Sequence, residues 1–517
     1  MGTPESLGLP VTTVVAVVGA GAMGAGIAQV AAVAGHPVRL IDARPGAAEA
    51  AVGRIRETLT QLVAKKKIDE QYALEAAQRL SAVGDMDELD SAGLVIEAIV
   101  EDLEAKRQLF AQLAGVVPED CILATNTSSI SVTAIAAKVK APQRVVGMHF
   151  FNPAPQMALV EIVAGLPTSP EVMQRMSATA AAWGKVPVQA KSTPGFIVNR
   201  CARPFYAEGL RLLLEQAGDC ATIDAIMRES GGFRMGPFEL MDLIGHDVNY
   251  AVTKSVFDAN YGDPRYTPSL TQLELVHAGF LGRKAGRGFY DYKAAAPPQP
   301  GTERAESLGT QPVTLCGVSA LARALAQRLD AARHFHLDIP TAGSDGIVAK
   351  VGDAVVLLTD GRTATQRALD LNKKDLVLVD LALDFASAKR IALAKADSCS
   401  DAAYRGVVAM MQLAGYAVSQ LQDVPGMAVM RTVAMLANEA AEAVNHGVCT
   451  AEAADLAMLK GVNYPRGPLA WADGVGPRVL AEVLVNLSAC YGEDRYRVST
   501  LLRRRAASGA PLSSSHA

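Results

Sequence analysis

VVAVVGAGAMGAGIA, residues 14–28, decides the fold. Val14 to Val18 form a short β-branched run that breaks into glycines at 19, 21 and 24, after which the apolar spacing is helical through Ala34. That order predicts strand, glycine turn and helix. Missing side chains at Gly19, Gly21 and Gly24 let a backbone turn sharply and approach a pyrophosphate at the helix N-terminus, so Gly19, Gly21, Ala22, Met23 and Gly24 are candidate cofactor contacts. Asp42 closes a second strand, Val38 to Asp42, about twenty residues further on. An acid there accepts hydrogen bonds from the adenosine ribose and repels a 2′-phosphate, which predicts NAD over NADP, with Arg44 nearby as the opposing feature. A glycine turn that holds no ligand is the alternative reading.

The same stretch could be taken for a membrane span, since Gln29 is the only polar residue from Val14 to Gly35. Five of those residues are glycine and no basic cluster flanks them, so no membrane role is expected. Met1 to Thr13 holds one acidic and no basic residue, unlike a signal peptide. Gly93 to Glu97 and Cys121 to Thr125 are further strand candidates separated by helical stretches. The alternation predicts an α/β domain with a mostly parallel, doubly wound sheet. Past Thr193 the pattern becomes helical up to about Lys293, and Ala294 to Gln311 has the composition of a linker.

The whole chain has 517 residues, enough for three to four domains of about 150. Half of it is apolar, which excludes disorder for most of its length. Lys and Arg number 49 against 53 Asp and Glu, a formal charge of −4 with no basic face, so a nucleic-acid partner is not expected. Seven scattered cysteines without a CxxC pair argue against disulfides or a zinc site and suit a reducing cytoplasm. His334, His336 and Asp338 alternate as on a strand, but no further ligand cluster accompanies them and no metal is expected.

The C-terminal region repeats the helical one. Adding 231 takes Pro194-Gly195 to Pro425-Gly426, Arg200 to Arg431, Glu208 to Glu439, Asp224 to Asp455, Gly236-Pro237 to Gly467-Pro468 and Asp242 to Asp473. One offset held over about fifty positions predicts a duplicated helical domain. Between linker and copy, Val313 to Gly317, Ala354 to Leu358 and Leu376 to Asp380 read as strands of a smaller α/β piece without a glycine fingerprint. With no glycine fingerprint in the smaller α/β piece, one active site per chain is expected.

Gly147-Met-His-Phe-Phe-Asn-Pro153 precedes an apolar run, Met157 to Val163, that contains Glu161. A carboxylate in such a strand is costly unless paired, and a His149–Glu161 pair would fix an imidazole tautomer and raise its basicity. Alternatively, His149 packs in the core and Glu161 sits at an exposed strand edge.

With these segments the chain resembles the L-3-hydroxyacyl-coenzyme A dehydrogenase family. The resemblance rests on GAGAMGAGIA (19–28), EAIVEDLEAK (97–106), NTSS (126–129), GMHFFNPAPQMALVEIV (147–163), TPGFIVNR (193–200) and GRKAGRGFYDY (282–292). The length is similar to that of the family's long bacterial form, associated with phenylacetate breakdown and 3-hydroxyadipyl-CoA. The resemblance implies that His149 is the base and Glu161 its stabilising partner, that Ser128 and Asn199 orient the reacting oxygen, and that Glu101, Lys106, Ser128, Asn152 and Lys284 lie around the cofactor. It also implies coenzyme A contacts at Thr58, Lys65 and Lys66, although a lysine run equally suits a solvated helix face. Ser128, Asn199 and Asn152 equally suit turns or caps. A dehydrogenase of a small free hydroxy acid and an idle NAD-binding structural protein are the rival readings.

The expected domains are a Rossmann-type NAD-binding domain over 1–191, a helical substrate and dimerisation domain over 192–293, and a linker over 294–311. A degenerate α/β segment over 312–400, the second helical copy over 401–505 and a flexible tail over 506–517 complete the chain. An acyl-CoA substrate, a homodimer and a cytoplasmic location go with this reading.

Overall fold

In the computed structural model, residues 7–317, 319–330, 336–338 and 346–514 are described. The chain divides into two compact units, one running through Arg200 and including His446–Val462, the other comprising Cys201–Asn445 and the chain from Asn463 on.

The first unit is built on an eight-stranded sheet: β1 (Val14–Val18), β2 (Val38–Ile41), β3 (Leu80–Ala82), β4 (Ala92–Glu97), β5 (Ile122–Thr125), β6 (Val145–Phe150), β7 (Leu159–Ala164) and β8 (Val186–Lys191). Their order is β3-β2-β1-β4-β5-β6-β7-β8. The first six run parallel, β7 turns antiparallel to β6, and β8 follows β7. Central strands buried on both faces need unbroken apolar runs rather than alternation, and β1 supplies one, with Val15, Ala16 and Val17 fully enclosed. The strand order reverses between β1 and β4, which opens a crevice at their C-terminal ends.

The second unit carries a seven-stranded sheet: β9 (Val313–Cys316), β10 (His336–Asp338), β11 (Ile347–Val351), β12 (Ala354–Leu358), β13 (Leu376–Val379), β14 (Arg390–Lys395) and β15 (Ala417–Gln420). The order is β10-β9-β11-β12-β13-β14-β15. His334 lies outside the described residues. The sheet has four strands beyond the three expected, and the boundary placed at 400 is corrected: Asp401–Leu413 is a helix over this sheet, and β15 pairs with β14. The expectation of a flexible tail over 506–517 is corrected for residues 506–514, and 515–517 lie outside the described residues. Asp473 accepts hydrogen bonds from the amides of Leu512 (2.6 Å) and Ser513 (2.9 Å), and Leu512 is buried. Two charge-assisted bonds and an apolar anchor fix the segment against its chain entropy.

No helix is long and apolar enough to cross a membrane among the described residues. Nor does any group of three or more His, Cys, Asp or Glu there offer a metal site.

Candidate active site

At the end of β1 the chain turns at Gly19, whose φ is +106° and whose amide donates to the carbonyl of Ile41 at 2.8 Å. A methyl group on Gly19 would lie 2.6 Å from the Ala98 oxygen, and one on Gly24 would lie 1.7 Å from the Gly19 oxygen. One on Gly21 would meet nothing within 4 Å. The turn's own packing therefore excludes side chains at 19 and 24, while Gly21 leaves its outer face open to a ligand. Helix Ala22–Val33 begins there, and the amides of its first turn, those of Ala22 and Met23 included, lack intrahelical partners and suit a phosphate.

Asp42 Oδ2 accepts from the Ala20 amide at 2.7 Å, and Oδ1 accepts from the amide and Nε of Arg44 at 2.9 and 3.0 Å. The Arg44 guanidinium is the chief reason the Asp42 carboxyl is held down to about 2. Gly19, Gly21, Asp42, Arg44 and Gln112 line a cleft of about 750 Å³. An open glycine backbone at one end and a charged carboxylate at the other fit the adenosine diphosphate half of NAD.

Beside this cleft, Glu101 gathers the loop after β5. Its Oε1 accepts from the hydroxyl of Thr127 at 2.6 Å, the Ser128 amide at 2.9 Å and the Ser128 hydroxyl at 3.3 Å. Burial opposes its charge, but Lys106, the Thr127 hydroxyl and the Ser128 amide together hold its carboxyl below the usual range. Lys106 is 1 % exposed and lies between Glu97 (2.5 Å) and Glu101 (3.3 Å). Glu97 also accepts from Thr125 at 2.7 Å. Sequence reasoning passed over Glu97 although it opens the EAIVEDLEAK segment; a carboxylate ending an apolar strand was the available signal.

The antiparallel pairing of β6 and β7 sets His149 opposite Glu161, with Nδ1 and Oε2 2.6 Å apart. Both side chains are buried. Oε1 of Glu161 accepts from the amides of Ile197 (2.9 Å) and Val198 (3.0 Å), so three groups answer a carboxylate that the strand alone would leave unsatisfied. Phe196, in the left-handed region at φ +47°, turns the chain before those two amides. Asn199 follows them in the short helix Val198–Cys201. The NTSS loop is tied to the same strand, because Asn126 Oδ1 accepts from the Phe150 amide at 2.8 Å. Phe151 and Phe196 pack against the imidazole with ring centroids 4.6 and 5.8 Å away.

The other expected contacts are placed more loosely. Asn152 is exposed just after β6, and Thr58, Lys65 and Lys66 are exposed on or just beyond helix Ala47–Ala64, with the Thr58 hydroxyl donating to Arg54 O. Lys284 belongs to the second unit and pairs there with Asp247 at 2.6 Å.

The second unit repeats this strand-and-turn arrangement without the histidine. Carried back from the helical copy, the offset of 231 sets Asp380 against His149 and Ala392 against Glu161. The structure agrees: β13 pairs antiparallel with β14, and the Asp380 amide donates to Ala392 O at 3.0 Å. Asp380 now reaches the helix start itself, accepting from the amides of Ala428, Val429 and Met430 at 2.7 to 3.0 Å. Met427 repeats the left-handed turn of Phe196, at φ +53°. A carboxylate on the histidine's strand has replaced the pair, and no imidazole remains.

Comparison with known proteins points the same way. The model of the 3-hydroxyacyl-CoA dehydrogenase NAD-binding domain matches residues 14–193, and that of the C-terminal domain matches 195–292 and again 426–515. A model of the 3-hydroxybutyryl-CoA dehydrogenase reduced Rossmann-fold domain matches 356–425. A 3-hydroxyadipyl-CoA dehydrogenase of Escherichia coli is 44% identical over 95% of this chain and 97% of its own length. A probable 3-hydroxybutyryl-CoA dehydrogenase of Bacillus subtilis is 42% identical over 54% of this chain and 96% of its own. Among solved structures, a 3-hydroxybutyryl-CoA dehydrogenase from Escherichia coli superimposes with a TM-score of 0.88 at 44% identity, over 97% of this chain and 100% of that one.

Proposed function

The chain belongs to the 3-hydroxyacyl-CoA dehydrogenase family, whose members oxidise 3-hydroxyacyl-CoA with NAD, and from that premise we propose that the buried His149–Glu161 pair is its catalytic base. The observation that carries the reading is the 2.6 Å contact between His149 Nδ1 and a fully buried carboxylate. Glu161 accepts a hydrogen bond from Nδ1–H, which leaves the Nε2 lone pair free to take the proton of the 3-hydroxyl. As that proton arrives, Glu161 stabilises the imidazolium across the same bond. Ser128 and Asn199 hydrogen-bond the reacting oxygen and orient it. The Gly19–Gly24 turn and Asp42 would hold NAD, which when bound would supply the acceptor for the hydride leaving carbon 3. Glu101, Lys106 and Asn152 complete the cofactor's surroundings, and Thr58, Lys65 and Lys66 meet the coenzyme A phosphates.

The substrate is 3-hydroxyadipyl-CoA or 3-hydroxybutyryl-CoA. Both names occur among relatives similar over nearly the whole chain, second half included, and comparison of the two substrates decides between them. We further propose a cytoplasmic homodimer. Seven free thiols suit a reducing compartment, and Leu214 and Leu270, 73 % and 78 % exposed, give an assembly apolar surface to cover.

NADH formation with 3-hydroxybutyryl-, longer 3-hydroxyacyl- and 3-hydroxyadipyl-CoA tests the proposal, and activity on none of them refutes it. His149→Gln is expected to lower kcat by at least ~10²-fold, and a near-normal rate would remove His149 from the role of base.

A further inference from the structure

The unit that carries His149 and Glu161 is not continuous in sequence: it takes in His446–Val462 from the second helical copy. Helix Ala451–Gly461 packs on β7 and β8, and the Lys191 amide at the end of β8 donates to Val448 O at 2.8 Å. Ahead of the helix, His446 Nδ1 lies 3.4 Å from Arg200. Cys449 is close enough to Glu161 for that carboxylate to add to burial in raising its thiol to about 12.

The last residue of the helix makes the closest approach. A methyl group on Gly461 would lie 2.7 Å from Leu159 Cδ2 and 3.1 Å from Val198 Cγ2. Leu159 stands two residues before Glu161 on β7, and the Val198 amide is one of the two that fix the Glu161 carboxylate. The helix therefore bears on both supports of the pair. An equivalent contact exists in the second unit, where helix Cys220–Glu229 packs on β14. There Ser230, at the position of Gly461, donates to the carbonyl of Arg390, at the position of Leu159, at 2.6 Å. Where the histidine has gone a side chain is accommodated, and where it remains the position is glycine.

We propose that Gly461 is a positioning residue for the His149–Glu161 pair: lacking a side chain, it lets a helix of the second copy close on Leu159 and Val198 and hold Glu161 in register with the imidazole. The duplicated half thereby forms part of the catalytic unit. This inference rests on the reading of His149 as base.

The test uses the full chain. Gly461→Val should lower kcat by about tenfold or more, since sub-ångström displacement of a catalytic group is costly, and should move the pH midpoint of kcat/KM while NADH affinity stays within about twofold. Adding Leu159→Ala to that variant should recover at least about a third of the lost rate by making room for the new side chain. A wild-type kcat and pH profile for Gly461→Val, or no recovery in the double variant, overturns the proposal. Should Gly461→Val not fold, Gly461→Ala takes its place: a smaller fall with the same pH displacement supports the inference, and a wild-type profile overturns it. His149→Gln and Glu161→Gln run alongside. If both keep the wild-type rate, the reading of the base fails; if both collapse while the Gly461 variants are unchanged, only the positioning role fails.

Discussion

Asp42 and Arg44 meet 3.0 Å apart in the cleft assigned to the cofactor, and in the proposed reading their contact is the selector of its ribose end. The guanidinium holds the Asp42 carboxyl down to about 2, so the acid is charged throughout the working pH range and repels a 2′-phosphate. Arg44, in turn, though largely exposed, is paired with that acid at 3.0 Å. Asp42→Ala reverses both effects at once. The ratio of kcat/KM for NAD over NADP should fall by about 10- to 100-fold, measured as initial rates with each cofactor, and an unchanged ratio would show that selection lies elsewhere in the cleft. The part of the site that depends on a glycine pattern or a misplaced charge was legible in the sequence: Gly19, Gly24, Asp42 and Glu161 each violate the local rule for their element. Lys106 was legible only through the family resemblance, because a lysine in a charged helix otherwise reads as solvated surface, and only the fold reveals Glu97 and Glu101 beside it.

A strand pair shows how the second half lost its chemistry and kept its architecture. In β6 and β7 the carboxylate stands across from the imidazole and reaches the helix amides from the far strand. In the second unit Asp380 reaches the equivalent amides from the near strand. Burial raises the Asp380 carboxyl to about 6 despite those donors. Since that lies above the ordinary 3.8, the folded chain keeps a proton between about pH 4 and 6 that the unfolded chain releases. The group therefore stabilises the fold on the acid side, and the contribution is lost as pH rises through about 6. Urea unfolding from about pH 4.5 to 7 should show wild type losing on the order of 1–3 kcal/mol more than Asp380→Asn over that interval, and parallel curves would exclude the titration. The repeat was legible in the helices because Gly-Pro and Asp positions mark turns and caps. In the sheets it was overlooked because valine, leucine and isoleucine replace one another freely, although the same offset pairs His149 with Asp380.

At the level of the whole molecule, the duplicated helices of the second unit meet through paired contacts. Arg431, fully buried, binds Glu208 at 2.6 Å and Glu215 at 2.8 Å. Tyr496 donates to Glu208 at 3.0 Å, and Tyr266 donates to Glu439 at 2.6 Å, the residue that the offset equates with Glu208. Each copy thus answers the other's buried glutamate with a tyrosine. Removing everything after residue 293 deletes Arg431 and Tyr496 and leaves Glu208 paired with Arg211 alone among these partners. It also uncovers the buried side chains of helix Arg203–Leu214 and strips Gly461 from Leu159 and Val198. A chain of residues 1–293 can restore these contacts only from a second copy. The truncated chain should therefore be an assembly by light scattering, with specific activity that falls on dilution as the assembly separates. A fully active monomer would mean that the second half contributes neither the helix partner nor the support of the catalytic pair.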